Sequence, residues 1–290
     1  MPSLKEVRNR ITSVSSTQQI TSAMKMVSAA KLRRAQDAIT QMRPYANKLR
    51  EILENLSSSL DSNEGVYSRQ REVKKVLLVV ITSNRGLCGA FNSSVIKRAA
   101  RAAREEYAGA QISYLCIGKK GNDIFRKTTF SPAFPELGNT SELFDNLKFV
   151  NVAPVAERIM KGFADGEFDK VVLFYNQFKN AAVQVTQAEQ FLPVVPSASE
   201  GASKTDYIFE PGKEEIVLDL IPRSLKTQLY KALLDSFASE HGARMTAMHK
   251  ATDNAKDLLR NLKITYNKAR QTAITNEILE IVGGAEALKG

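Results

Sequence analysis

The last third of the chain, from about Arg223 to Gly283, contains no proline and one isolated glycine, Gly242. Its apolar and small residues recur at a strict 3,4 spacing: Met245, Met248, Thr252, Ala255, Leu259, Leu262, Tyr266, Ala269 and Ala273. A seam of that kind is a heptad repeat, and a sustained heptad repeat belongs to a helix wound against another helix. At 1.5 Å per residue this helix would run for roughly 90 Å, far more than one globular domain requires. Alone in water its stripe would stay exposed, so the pattern demands a partner.

The other end of the chain offers one. From Ser3 to about Ser58 the sequence is free of glycine. Val7, Ile11, Val14, Ile20, Met24 and Val27 carry an apolar stripe, and Ala35, Ala38, Met42, Tyr45, Leu49, Ile52 and Leu56 continue it in heptads. Pro44 is the one break; it removes the hydrogen bond to the Thr40 carbonyl and is expected to bend the helix. One helix runs into the middle of the chain and the other runs out of it, so if they pair they pair antiparallel. The alternative is two separate helices packed on a globular core, which rarely keep a 3.5-residue period this long.

Length and composition narrow the rest. A chain of 290 residues holds one or two domains with a sizeable core. The net charge is +10, and residues 1–58 hold ten Lys/Arg against four acids. A basic helix of this kind calls for acidic partners: nucleic acid, anionic lipid or an acidic protein surface. Cys88 and Cys116 make no disulfide framework and read as buried apolar residues of a reducing compartment. The longest aliphatic run, Val76 to Ile81, has six residues, too few to span a membrane. Residues 1–35 have the basic, Ser/Thr-rich composition of a transit peptide, but the stripe continues past Ala35 without a cleavage signal, so they read as mature protein.

Between the helices the period changes. Ser57 to Glu72 is a polar linker. Val73 to Thr82, Gln111 to Ile117 and Lys170 to Asn176 read as buried strands, and Ala182 to Leu192 alternates like a strand. Asn92 to Glu106, Lys119 to Lys127 and Val152 to Ala164 read as helices. This alternation predicts an α/β domain with a partly parallel sheet. Ser197 to Asp206 is a second polar loop, after which Pro211 and Pro222 bracket the start of the long helix. The predicted organisation is an N-terminal coiled-coil helix (1–60), an inserted Rossmann-like α/β domain (61–208) and a C-terminal coiled-coil helix (209–290).

Chemistry is sparse. The strand-to-helix turn Thr82-Ser83-Asn84-Arg85-Gly86-Leu87-Cys88-Gly89-Ala90-Phe91-Asn92 is the obvious place for a phosphate. It lacks the Gly-Lys-Ser/Thr of a P-loop and the three glycines of the dinucleotide fingerprint. The plainer reading is a tight turn with Asn92 as helix N-cap. Cys88 has no histidine or aspartate partner in this domain, since both histidines, His241 and His249, fall in the long helix. Those two are eight apart with no ligand at i+4, so no metal site is expected. No pair of carboxylates is framed for acid/base work, and no cofactor is called for. The basic run Lys31, Arg33, Arg34 lacks aromatic interleaving, and with no tryptophan in the chain nucleic acid is not expected as a partner.

The same helices carry a family resemblance. The run Thr17-Gln18-Gln19-Ile20-Thr21-Ser22-Ala23-Met24-Lys25-Met26-Val27-Ser28-Ala29-Ala30-Lys31-Leu32-Arg33-Arg34-Ala35-Gln36 resembles the N-terminal helix of the γ subunit of F-type ATP synthases. Ser239-Glu240-His241, Arg244 to Met248, Ala251 to Ala255, Tyr266 to Gln271 and Glu280 to Ala285 resemble its C-terminal helix. Ser83 to Asn92 resembles the turn of its central domain. The resemblance implies a central rotor shaft that turns inside a ring of α and β subunits, with the α/β domain as a foot beside the ε subunit and the membrane c ring. It implies torque transmission between proton flow and ATP synthesis, with no catalytic residue on this chain.

By the same resemblance, Arg270, Gln271 and Thr275 match positions that contact a β catch loop, Arg244 matches another shaft contact, and Met24 and Lys25 match the N-terminal side of that bearing. Tyr207, Phe209 and Glu210 match the foot segment near the c ring. Met245, Met248, Ala255, Leu259, Leu262 and Ala269 remain the seam. Gly242 and His249 depart from the expected alanine and lysine, and a mid-helix glycine costs about 1 kcal/mol of helix propensity. The cysteine-bearing insertion of chloroplast chains is absent. With no upstream targeting segment, the expectation is a bacterial protein, peripheral, on the cytoplasmic face of the inner membrane. Two readings outside the family stay open on the residues alone: a coiled-coil adaptor or chaperone-like arm on an α/β head, and an α/β nucleotide-binding enzyme that uses the Gly86–Gly89 turn.

Overall fold

The computed structural model of the chain describes residues 3–57, 66–194 and 213–287. The polar loop 197–206, residues 58–65 of the first linker, and Tyr207, Phe209 and Glu210 lie outside the described residues. Helix α1 spans Leu4–Ser57, and the Glu6 amide donates to the Ser3 hydroxyl, which caps it. Helix α5 spans Lys213–Ala287. It starts well before Pro222, which the sequence reading places at its start and the structure places inside it. The ring removes one bond, to the carbonyl of Leu218, and the helix continues on either side. By internal contacts the chain forms two units, Met1–Ser28 with Met245–Gly290, and Ala29–Arg244, so the division runs through both long helices.

The larger unit is built on a five-stranded sheet. Its strands are β1 (Lys75–Ile81), β2 (Gln111–Ile117), β3 (Ser131–Pro132), β4 (Lys170–Phe178) and β5 (Gln184–Leu192). The order is β3-β2-β1-β4-β5, with β5 alone antiparallel. Helices α2 (Phe91–Arg101), α3 (Lys119–Phe125) and α4 (Phe149–Ala164) connect the parallel strands. The short edge strand β3 and the 3₁₀ turns at Pro135–Leu137 and Thr140–Phe144 carry no periodic signal and are absent from the sequence reading. Helix α2 widens into a π turn at Ala102–Glu106, inside the single helix expected there.

Strand β1 explains why the sheet must be covered on both faces. Every residue from Val76 to Ile81 is fully buried. Its odd members, Leu77, Val79 and Ile81, pack with Ile159 and Phe163 of α4 and with Leu225, Leu229 and Leu233 of α5. Its even members, Val76, Leu78 and Val80, pack with Val95 and Ala99 of α2 and Phe125 of α3. A continuous aliphatic run is the signature of a strand buried on both sides. Cys116 belongs to the second cluster, and burial pushes its thiol up to about 12. Cys88 is also buried, and its thiol is raised chiefly by desolvation.

In the smaller unit the first 28 residues and the last part of the chain pair antiparallel. The Arg8 guanidinium donates to the Tyr266 hydroxyl at 2.9 Å, and the Thr21 and Thr252 hydroxyls lie 2.9 Å apart. These two contacts share one antiparallel register. On the C-terminal helix Met248 and Ala255 are buried, and Met245, Thr252, Leu259, Leu262, Tyr266, Ala269 and Ala273 are half-buried. From Asp253 to Glu286 every described residue outside that set is exposed.

The N-terminal stripe needs correction. Residues Leu4, Val7, Ile11, Val14, Gln18, Thr21, Lys25 and Ser28 are the buried or half-buried heptad, whereas Ile20 and Val27 are 60% and 58% exposed. The heptad runs through polar and small residues after Val14, and the sequence reading follows the apolar ones off it. Tyr45, assigned to the seam further along, is likewise exposed in the larger unit, whereas Ala35 and Leu49 of the same stripe are buried, as are Leu32 and Ile39, which the stripe leaves out.

Charging the pair should break it. Ala255→Lys places an ammonium at a buried site and Leu259→Asp a carboxylate at a half-buried one. Each is expected to lower stability by on the order of 1–3 kcal/mol, read as a drop in the thermal midpoint by circular dichroism. The exposed neighbour Asp257→Lys should leave it unchanged within about 0.5 kcal/mol.

Candidate functional site

In open parallel sheets the ligand crevice lies outside the carboxyl ends of the strands, where the strand order reverses. Here that point falls between β1 and β4, and the chain fills it with its own helix. The Ser239 hydroxyl of α5 donates to the Asn176 carbonyl on β4 at 3.0 Å. The Arg244 guanidinium donates from Nη2 to the carbonyls of Arg85 and Gly86, at 3.0 and 3.3 Å, in the turn after β1. Gly242 lies against the β4–β5 hairpin, where an added Cβ would sit 3.2 Å from the Ala181 carbonyl oxygen. The glycine that departs from the expected alanine therefore has a packing reason: it lets the hairpin backbone approach the helix. Further back along α5, Gln228 donates to Glu189, which also accepts from Tyr175, and Lys226 pairs with Glu157 at 2.6 Å.

The turn itself is internally tied. Asn92 is not the N-cap of α2, a position held by Ala90. Its side chain reaches back instead, accepting from the Ser83 amide at 2.9 Å and contacting the Ser83 hydroxyl and the Cys88 sulfur. Asn176, almost fully buried, donates to the Phe91 carbonyl and accepts from Thr186. Leu87, with φ of +63°, takes a left-handed conformation unusual for a branched residue, and its side chain is 65% exposed.

Arg244 is committed inside the chain. It is buried, and Nη1 pairs with Glu240 at 2.6 Å. The same nitrogen lies 3.3 Å from His241 Nδ1. A guanidinium cannot accept, so His241 receives at Nδ1 and carries its proton on Nε2. Burial, then the charges of Arg244 and Lys31, hold the imidazole down to about 3. Burial pushes the Glu240 carboxyl up, against the pull of Arg244. Arg244, expected as a shaft contact, is bonded in this chain to the turn and to Glu240.

The remaining expected site residues lie elsewhere. Arg270, Gln271 and Thr275 are exposed on α5, and the Thr275 hydroxyl donates to the Gln271 carbonyl at 2.9 Å. Met24 and Lys25 are half-buried on α1, with Lys25 on the buried heptad. His249, exposed, lies 3.4 Å from Asp253. Sequence reasoning gives Ser239 and Glu240 a place in the resemblance but no site role, and gives Asn176 none; a Glu and an Arg four apart on a helix announce a pair, but nothing local says that the pair is buried. A hollow of about 400 Å³ beside β2 is lined by a single carboxylate, Asp123, and no histidine. Among the described residues no cluster could hold a metal ion, and no helix is long and apolar enough to cross a membrane.

The imidazole gives a pH test. Its folded value lies below its ordinary 6.5, so the unfolded chain takes up the proton first and stability is lost as pH falls below about 6.5. The limiting slope is roughly 1.4 kcal/mol per pH unit, opposed at the acid end by Glu240, which binds its proton more readily when folded. Urea unfolding between pH 7.5 and 5 should show this loss in the wild type and a flatter profile in His241→Gln.

A family model described as ATP synthase matches residues 3–288. The ATP synthase gamma chain of Flavobacterium johnsoniae is 66% identical, over all of both chains. A chain in the central stalk and c-ring structure of the Tetrahymena thermophila mitochondrial ATP synthase is 27% identical with a TM-score of 0.57, covering 80% of this chain and 99% of that one. A chain in a Euglena gracilis mitochondrial ATP synthase structure is 20% identical with a TM-score of 0.65, covering 98% and 94%, and shares the fold. Paired end helices, an inserted sheet domain and a match from one end of the sequence to the other lead to one assignment: the chain belongs to the γ chain family of ATP synthases.

Proposed function

We propose that the chain is the central rotor stalk of a proton-translocating ATP synthase, carrying torque between the membrane c ring and the catalytic β subunits. The observation that supports this most is the antiparallel register of the chain ends, fixed by Arg8 with Tyr266 and Thr21 with Thr252, in a full-length member of the γ family. A shaft works by stiffness, and continuous seam packing supplies it. Helices α1 and α5 pass unbroken from one unit into the other, so rotation applied to the sheet domain reaches the paired ends through covalent backbone.

In this reading residues 1–60 and 209–290 are the shaft and 61–208 the foot. Its partners are the α and β subunits, the ε subunit and the c ring. It holds no catalytic site of its own, in keeping with a sheet crevice filled by Ser239, Gly242 and Arg244. The bacterial character of its relatives favours a peripheral position on the cytoplasmic face of the inner membrane. The exposed residues Arg270, Gln271 and Thr275 face outward from the seam, where a forked cation and two hydrogen-bonding side chains suit a β-subunit loop. Tyr207, Phe209 and Glu210 are assigned to the c-ring side by resemblance.

Two measurements test this. The purified chain alone should show no steady ATP turnover; turnover in preparations free of β subunit would overturn the assignment of catalysis to the partner. Replacing Arg270, Gln271 and Thr275 together by Ala should leave the helix intact, because alanine favours it. ATP hydrolysis per assembled complex should fall severalfold, and a wild-type rate with wild-type proton pumping would make these residues bystanders.

A further inference from the structure

The turn Ser83–Asn92 exposes Arg85 and Leu87 at the surface, yet the two carbonyls beside them, of Arg85 and Gly86, face inward onto Arg244. A leucine keeps a left-handed backbone only where its surroundings hold it there. The ties within the turn, from Asn92 to Ser83 and to Cys88, fix its base. The Arg85 carbonyl also accepts from the Ser83 hydroxyl at 2.7 Å, and the guanidinium adds the tie to α5, at the Arg85 carbonyl and at the Gly86 carbonyl. We propose that Arg244 is a positioning residue: paired with Glu240, it holds the turn against α5 and so sets how Arg85 and Leu87 are presented to a neighbouring subunit.

The chemistry divides the labour. A guanidinium carries five donors in a planar fork, and here Nη2 serves two backbone carbonyls while Nη1 serves the carboxylate. Glu240 bonds to the guanidinium. It supplies the counter-charge without which the guanidinium would not stay buried. Neither residue can then do the work without the other, and this separates the proposal from its rival. If Arg244 reached a partner directly, Glu240 would be a spectator.

The test uses the full chain with Arg244→Met, with Glu240→Leu and with both. The double variant removes both buried charges together, a change folded proteins tolerate. The amides of Ser83 and Phe91, bonded to Asn92 Oδ1 and the Cys88 carbonyl, report opening of the turn by hydrogen exchange. Each variant should speed exchange at these amides by at least about tenfold, with β1 unchanged. In the assembled complex, protons pumped per ATP hydrolysed should fall alike in all three, the double no worse than either single. The pumping readout rests on the stalk reading; the exchange readout on the free chain does not. Wild-type exchange in the double variant, or faster exchange throughout the sheet, overturns the positioning role. Faster turn exchange with wild-type pumping overturns the presentation to a neighbour. A pumping defect in Arg244→Met with none in Glu240→Leu overturns the proposal in favour of direct contact by Arg244.

Discussion

A helix from the start of a chain can pair antiparallel with a helix from its end only if everything between them leaves and returns at the same place. That constraint governs this structure. The register set by Arg8 with Tyr266 and by Thr21 with Thr252 fixes which residues of the two ends face one another. The insertion has to close on itself, and a parallel sheet wrapped by its own crossover helices does so. It also has to receive α5 on one face, which is why Leu225, Leu229 and Leu233 sit in the same cluster as Ile159 and Phe163. The helix that goes on to form the pair therefore shares with α4 the hydrophobic cover of one face of the sheet.

The same arrangement explains why a nucleotide-type fold carries no nucleotide-type motif. In a free-standing doubly wound domain the crevice at the strand carboxyl ends is open, and glycines in the first turn let a phosphate approach. Here the glycines of that turn serve other ends. Gly89 takes a φ of +60°, and Gly86 offers its carbonyl to Arg244. The approach to the hairpin is made by a helix through Gly242, not by a ligand. Fold and chemistry part company at the point where α5 crosses the sheet edge.

Periodic features were legible in the sequence and aperiodic ones were not. The C-terminal seam could be read because its apolar and small residues keep the 3,4 spacing without a slip. The N-terminal partner misled because its heptad passes through Gln18, Thr21, Lys25 and Ser28, while Ile20 and Val27 offer a more apolar but solvent-facing line. Hydrophobicity and burial coincide only where packing is the sole demand on a surface. Asn92 reads as a cap from its place in the chain, but Ser83, nine residues earlier, competes for its side chain and wins. Strand β3 has two residues and no pattern to find. Arg244 meets a loop some 160 positions earlier in the chain, and no local signal reports that contact.

A buried ion pair is a poor source of stability, since well-packed apolar side chains of similar size serve as well or better. Its presence at Glu240 and Arg244 therefore calls for another reason, and specificity of geometry is the one the surroundings supply. An apolar pair in that place would pack against the turn but would leave the Gly86 carbonyl without its guanidinium donor and the Arg85 carbonyl with the Ser83 hydroxyl alone, and a carbonyl that loses its donor turns outward or finds water. The turn would then choose among several conformations. With the guanidinium in place one conformation satisfies both carbonyls and the carboxylate at once, and Leu87 is held in a backbone state it would otherwise leave. His241 completes the enclosure by accepting from the same guanidinium while staying neutral, so the imidazole adds no charge of its own to the pair. What the chain gains is definition of a surface loop, obtained by placing its restraint on the stiffest element available, a helix that is packed against the sheet along several turns.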